Sequence, residues 1–174
     1  RDVQALEAQG YLRFCVARNP WARLVSCWKN KRRNSNWIGV NADHFVHDME
    51  FLPFVRAACA IPDQQSDSHL RSQHQYVFDG ETLLVDHILR FEHLQQDWDA
   101  LRQQYNLPPL EHYKKSRSEK YCWSLYNEFP AVRDLVADRY ARDIEFFGYD
   151  LPKSGMCTLS HLRMWRQHPD GIVF

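Results

Sequence analysis

Arg18 and Ser26 stand eight positions apart in the stretch YLRFCVARNPWARLVSCWK, residues 11–29. The arginine follows an apolar run, and an Asn-Pro step separates it from an amphipathic pattern that carries the serine. A guanidinium offers forked N–H donors that match a phosphate or carboxylate bidentately, which the point charge of an ammonium does not. Asn19, Ala22, Arg23 and Ser26 fall at i, i+3, i+4 and i+7, one face of a helix. Seven residues at ~1.5 Å each place Ser26 ~10 Å along the axis from Asn19. An anion touching both Arg18 and Ser26 would lie beside the first turns of that helix. The same residue types also fit a plainer arrangement, with Arg18 paired to a carboxylate and Ser26 bonded to its own backbone.

The elements that must hold this pair are legible around it. Residues 11–17, YLRFCVA, are short, apolar and β-rich, and predict a buried strand. Asn19 can cap a helix whose first position is Pro20, and this helix is expected to run to about Arg33. Lys29, Lys31, Arg32 and Arg33 suit the negative end of its dipole. In an open α/β sheet, anions collect beyond the C-terminal ends of strands, where helix N-termini present unbonded N–H groups.

Further along, a helix is expected over 43–60, with Pro53 as a potential kink. IPDQQSDSHLRSQ is polar and aperiodic and predicts a long functional or mobile loop. QYVFD and LLVDHILRF read as a hairpin or two sheet strands around the turn Asp79-Gly80. Helical spacing returns after Glu92, with Leu94, Trp98, Leu101 and Tyr105 on one stripe and Leu107-Pro108-Pro109 as its end. KKSRSEKY predicts a charged connector. A single helix is expected over 127–147, stopped by Gly148, and a short surface helix over TLSHLRMWRQ. Strands alternating with helices point to an α/β domain with a mainly parallel sheet.

Composition bounds the function. The chain has 174 residues, enough for one domain, and its 22 Lys+Arg balance 22 Asp+Glu. Zero net charge argues against a nucleic-acid surface, although KNKRR with Trp28 and Trp37 is the patch such a module would use. No apolar run reaches the ~20 residues that span a bilayer. Five scattered cysteines, Cys15, Cys27, Cys59, Cys122 and Cys157, form no CxxC pair and read as reduced thiols. With no N-x-[ST] sequon either, the composition leans to a bacterial cytoplasmic protein. His44 and His47 lack a third ligand at sensible spacing, so no metal is expected. No G-x-x-x-x-G-K-[ST] is present to support an NTPase.

RNPWARLVSCW resembles the 3′-phosphate-binding motif of sulfotransferases that use 3′-phosphoadenosine 5′-phosphosulfate, most closely the carbohydrate (Golgi-type and bacterial) branch. DSHLRSQ is similar to the H-x-x-x-Q loop of that branch, VDHILRFEHLQQDWDAL to its strand-then-helix segment, and YARDIEFFGYD to its closing segment. The resemblance covers roughly residues 11–150. It implies a three-layer, P-loop-like α/β fold in a single domain with its core in 11–150 and an extension over 151–174. It implies sulfuryl transfer from 3′-phosphoadenosine 5′-phosphosulfate to a hydroxyl or amine of a carbohydrate or other small acceptor, with Arg18 and Ser26 on the 3′-phosphate. Lys115, Ser116 and Arg117 lie where such enzymes return a basic loop over that phosphate.

Sulfuryl transfer rests on positioning and charge stabilisation and needs a base for the acceptor proton. Of the nine histidines, His69 lies in the matching loop and is the candidate base or acceptor-binding residue. Trp37, Phe45 and Tyr76 could stack on sugar rings or belong to the core. Glu92 is explained by the dipole of the helix it opens, and Asp143 by a salt bridge with Arg139. No lysine precedes Lys29, so the strand, lysine loop and helix that cradle a 5′-phosphosulfate are not found. A fragment of a longer enzyme or a degenerate, non-catalytic relative is therefore expected, with a Golgi-lumen location if a membrane anchor lies upstream.

Overall fold

The computed structural model describes residues 10–33, 49–111 and 119–150. Its elements are β1 (Phe14–Ala17), α1 (Pro20–Arg33), α2 (Phe51–Ala60), β2 (Phe78–Asp79), β3 (Thr82–Leu83), β4 (His87–Arg90), α3 (Leu94–Tyr105), α4 (Glu119–Glu128), α5 (Pro130–Arg139) and α6 (Ala141–Phe147). Short 3₁₀ turns lie at Asp63–Gln65, Gln73–Tyr76 and Phe91–His93.

β1 and β4 pair in parallel, from Phe14↔His87 to Ala17↔Arg90. Parallel strands cannot be joined by a tight turn, and the crossover between them contains α1 and α2. Side chains alternate across β1. Ala17 faces a core built from Trp21, Leu24 and Val25 of α1, Phe54 and Val55 of α2, and Val132 and Val136 of α5. Phe14 points the other way and meets Trp98 of α3 edge-on at 5.6 Å. Helices thus flank both faces of the parallel pair, the α/β arrangement expected from the alternation of elements.

Local chemistry explains the boundaries. The Asn19 side-chain oxygen accepts from the backbone N–H groups of Trp21 (3.1 Å) and Ala22 (3.4 Å), and Pro20 fills the first helical position without wasting a donor. β2 and β3 form a hairpin, Phe78↔Leu83 and Asp79↔Thr82, around Gly80 at φ 59°. LLVDHILRF is therefore two pieces, one closing the hairpin and one joining the parallel pair. Asn106, left-handed at φ 52°, ends α3 before the two prolines. Gly148 at φ 63° ends α6, and the N–H of Tyr149 returns to the Ile144 carbonyl at 2.9 Å.

Four expectations change. The strand expected to be buried over 11–17 spans Phe14–Ala17 and leaves Phe14 and Val16 exposed. α2 starts at Phe51, so Pro53 lies in the first turn, where a missing N–H breaks no bond and no kink follows. The helix expected over 127–147 is three helices. Pro130 opens α5 and holds Phe129 outside helical geometry at φ −126°, ψ 73°. Tyr140 interrupts the run again at φ −113°, ψ 28°, with its hydroxyl donating to the Leu70 carbonyl at 2.7 Å. The charged connector is also shorter, because Glu119–Tyr121 already belong to α4.

Residues 43–48 and the TLSHLRMWRQ segment lie outside the described residues. Among the described residues no helix is long and apolar enough to cross a membrane.

Candidate functional site

The C-terminal ends of β1 and β4 converge on one point. Arg18 follows the last residue of β1, and its guanidinium carbon lies 4.4 Å from the centroid of the Phe91 ring, just past the end of β4. Asn19 donates its backbone N–H to Glu92 Oε1 at 2.8 Å, and Glu92 Oε2 accepts from the Tyr149 hydroxyl at 3.2 Å. Burial, then the Glu92 charge, push the Tyr149 phenol well above the ordinary tyrosine range, so it stays a donor. Glu92 thus does more than favour a dipole: it ties both strand ends and the segment after α6 together.

Ser26 is half-buried, two turns into α1. Trp21, Leu24, Val25 and Trp28 are buried, whereas Arg23, Ser26 and Lys29 form the half-buried stripe. Arg23 reaches from that stripe to residues 68–71, donating to the carbonyls of Arg71 (2.7 Å) and Ser68 (3.1 Å). Those carbonyls flank His69.

His69 sits in a turn set by Asp67, whose Oδ1 accepts the His69 backbone N–H at 2.8 Å and contacts its Nδ1 at 2.5 Å. A carboxylate accepts only, so Nδ1 carries a hydrogen, and it is in the neutral imidazole that Nε2 keeps its lone pair. The His69 side chain is 55% exposed while that of Asp67 is 9% exposed. An anchored, outward-facing imidazole of this kind can take a proton from an incoming hydroxyl.

The loop expected to be functional or mobile is strapped down. Arg139 donates to Asp63 Oδ1 (2.7 Å) and to the hydroxyls of Ser72 (3.1 Å) and Ser66 (3.2 Å). Burial raises the Asp63 carboxyl, but the Arg139 and Ser72 hydrogen bonds outweigh it and hold Asp63 below the usual carboxylate value. Arg71 donates to the carbonyls of Asp63 (3.2 Å) and Ser66 (3.1 Å). Polar composition signalled exposure here, yet the polar groups are spent on one another.

Asp143 is fully buried and does not pair with Arg139 as expected. It accepts the backbone N–H groups of Gln73 (2.7 Å) and His74 (2.9 Å) and contacts His74 Nδ1 at 2.7 Å. Gln73 in turn bonds the backbone of Arg18 on both sides, Oε1 accepting its N–H (2.9 Å) and Nε2 donating to its carbonyl (2.7 Å). Gln73, Asp67 and Asp143 were in the quoted motifs, but only the fold shows what each one touches.

The structure therefore brings the Arg18 strand end, the Ser26 stripe and the His69 turn together through Gln73 and Arg23. Lys115, Ser116 and Arg117 lie outside the described residues, as do Trp37, Phe45, His44 and His47. Tyr76 is 49% exposed and its hydroxyl donates to the Ser68 carbonyl beside His69. Burial pushes the thiol of Cys15 up to about 11 and that of Cys59 up to about 12. A cavity of about 380 Å³ lined by Ala57, Ala60, Ile61, Pro62 and Gln65 shares no residue with the strand-end site. Among the described residues no three His, Cys, Asp or Glu side chains gather to hold a metal ion.

Neither the curated proteins nor the solved structures contain a match to this chain. The sequence model of the sulfotransferase family matches residues 2–150, which take in the strand-end arginine, the helix stripe, the histidine turn and the buried aspartate alike. With most of its length matched, the chain belongs to the sulfotransferase family.

Proposed function

We propose that the chain transfers a sulfuryl group from 3′-phosphoadenosine 5′-phosphosulfate to a hydroxyl of a carbohydrate-like acceptor, in a three-layer, P-loop-like domain. Arg18 and Ser26 hold the 3′-phosphate, Arg18 as a bidentate donor at the strand end and Ser26 from the half-buried stripe of α1. His69 is the base: its Nε2 takes the acceptor proton as the new O–S bond forms. The S–O bond to the nucleotide phosphate breaks, and 3′-phosphoadenosine 5′-phosphate leaves. Asp67 keeps the imidazole in the tautomer this needs. Tyr76, exposed beside the turn, offers a ring face on which a sugar can stack.

The observation that carries the reading is the pair of Arg23 bonds. They fasten the turn bearing the base to the helix stripe bearing Ser26, so that donor and acceptor chemistry share one wall. The residues named hold the 3′ end of the donor. No residue of this chain is assigned to its 5′-phosphosulfate.

A thermal-shift titration with 3′-phosphoadenosine 5′-phosphate tests the donor assignment. The nucleotide is expected to raise the unfolding temperature of the wild-type protein, an effect lost in Arg18→Ala and reduced in Ser26→Ala. No shift at millimolar nucleotide in the wild type would sink the reading.

A further inference from the structure

We infer that Gln73 is a positioning residue for the 3′-phosphate contact, acting through the backbone of Arg18. This rests on the reading that Arg18 holds the 3′-phosphate.

The parallel pair ends at Ala17↔Arg90, so Arg18 is the first residue past the paired register. The Gln73 side-chain amide meets its backbone there. It accepts the Arg18 N–H at 2.9 Å and donates to the Arg18 carbonyl at 2.7 Å, the two bonds that a directly opposed residue of an antiparallel strand would make. Both soft dihedrals of Arg18 lie between those two bonded groups, so the bonds fix the direction in which the side chain leaves the backbone. The Phe91 ring under the guanidinium then limits its swing.

A clamp of this kind works only if its own base is fixed. Gln73 is held by Asp143, fully buried, whose two oxygens take the N–H groups of Gln73 and His74. Asp143 belongs to α6, and α6 is tied back to the strand ends, because Arg90 donates to the Phe147 carbonyl at 2.8 Å. The route from the fixed core to Arg18 is therefore short: α6, Asp143, the Gln73 backbone, the Gln73 amide, Arg18. Pre-set geometry lowers the ordering cost of binding the anion, and that gain appears only with a ligand carrying the 3′-phosphate.

Calorimetric titration of the full chain with adenosine 3′,5′-bisphosphate and with adenosine 5′-monophosphate isolates that gain, because the two ligands differ only in the 3′-phosphate. In the wild type the bisphosphate binds more tightly, and Arg18→Ala removes the preference. Gln73→Ala is expected to cut the ratio of the two affinities about tenfold while leaving that for the monophosphate unchanged. Gln73→Glu, which keeps the size and the acceptor but loses the donor to the Arg18 carbonyl, should fall between Gln73→Ala and wild type, and serves if the alanine variant does not fold. A residue that only supports the fold would weaken both ligands together, and that outcome overturns the inference. So does a ratio in both Gln73 variants equal to the wild-type ratio when Arg18→Ala has lost it. A wild type with no preference for the bisphosphate removes the assignment of Arg18 itself, and the Gln73 role with it.

Discussion

At the scale of single residues, the proposed roles divide into groups that would meet ligand and groups that would aim them. His69 and Tyr76 face outward, whereas Asp67, Gln73 and Asp143 are turned to the protein. His69→Ala should lower kcat by roughly 10²–10⁴, the usual worth of a positioned base, with nucleotide affinity unchanged. Asp67→Asn should lower kcat in the same direction by less, because the amide can present its N–H to Nδ1 and favour the wrong tautomer. Steady-state kinetics beside nucleotide titrations check both, and a loss of nucleotide binding in either variant would contradict the division of labour. Tyr76→Ala is expected to raise the acceptor KM while leaving kcat nearly constant. Arg18 was singled out in the sequence by a guanidinium at a strand end and His69 by the motif around it. Gln73 lay in that same motif, but its contact was not legible, because an amide clamp on a backbone 55 residues away has no local signature.

At the scale of elements, the cap of α1 and the strap over residues 61–76 carry the site. Asn19→Ala removes the side-chain acceptor for two backbone donors and should cost about 1 kcal/mol. Denaturant unfolding measures it, and no loss would mean that the Glu92 bond to the same residue suffices. The strap gives a pH signature. Asp63 is held below its ordinary value of 3.8 in the folded chain, so its ionised form stabilises the fold at every pH above that value. This contribution fades as the pH falls below about 4 and Asp63 protonates. The stability gap between wild type and Asp63→Asn should therefore be widest near neutrality and shrink below pH 4. Element boundaries were legible at Asn19, Pro20 and Gly148, where a single residue imposes them, but the one at Pro130 was missed inside a run read as one helix. The break at Tyr140 was missed too, since no residue type marks it locally and its side chain bonds the carbonyl of Leu70, 70 residues away.

At the scale of the whole molecule, Trp21 is the common member. It is fully buried, its indole N–H donates to the Arg133 carbonyl at 3.0 Å, and its own carbonyl accepts from the Tyr126 hydroxyl at 3.1 Å. One residue thus joins α1, which bears Ser26, to α4 and α5. Trp21→Ala should cost about 3–5 kcal/mol, a large share of the stability of an ordinary domain, and broaden the unfolding transition. The α/β class followed from alternating strands and helices, and the family from motifs spread over most of the chain. The spatial closeness of those motifs did not follow, because it is made by long-range bonds among side chains that look ordinary in isolation. The raised thiol pKa values of Cys15 and Cys59 have a further use. Burial keeps little of either thiol ionised at neutral pH, so alkylating agents should react slowly with both and faster when the surrounding structure opens. Cys15 lies in β1 and Cys59 near the end of α2, so peptide-resolved iodoacetamide labelling would time the opening of the strand and of the helix separately, turning two chemically quiet side chains into clocks.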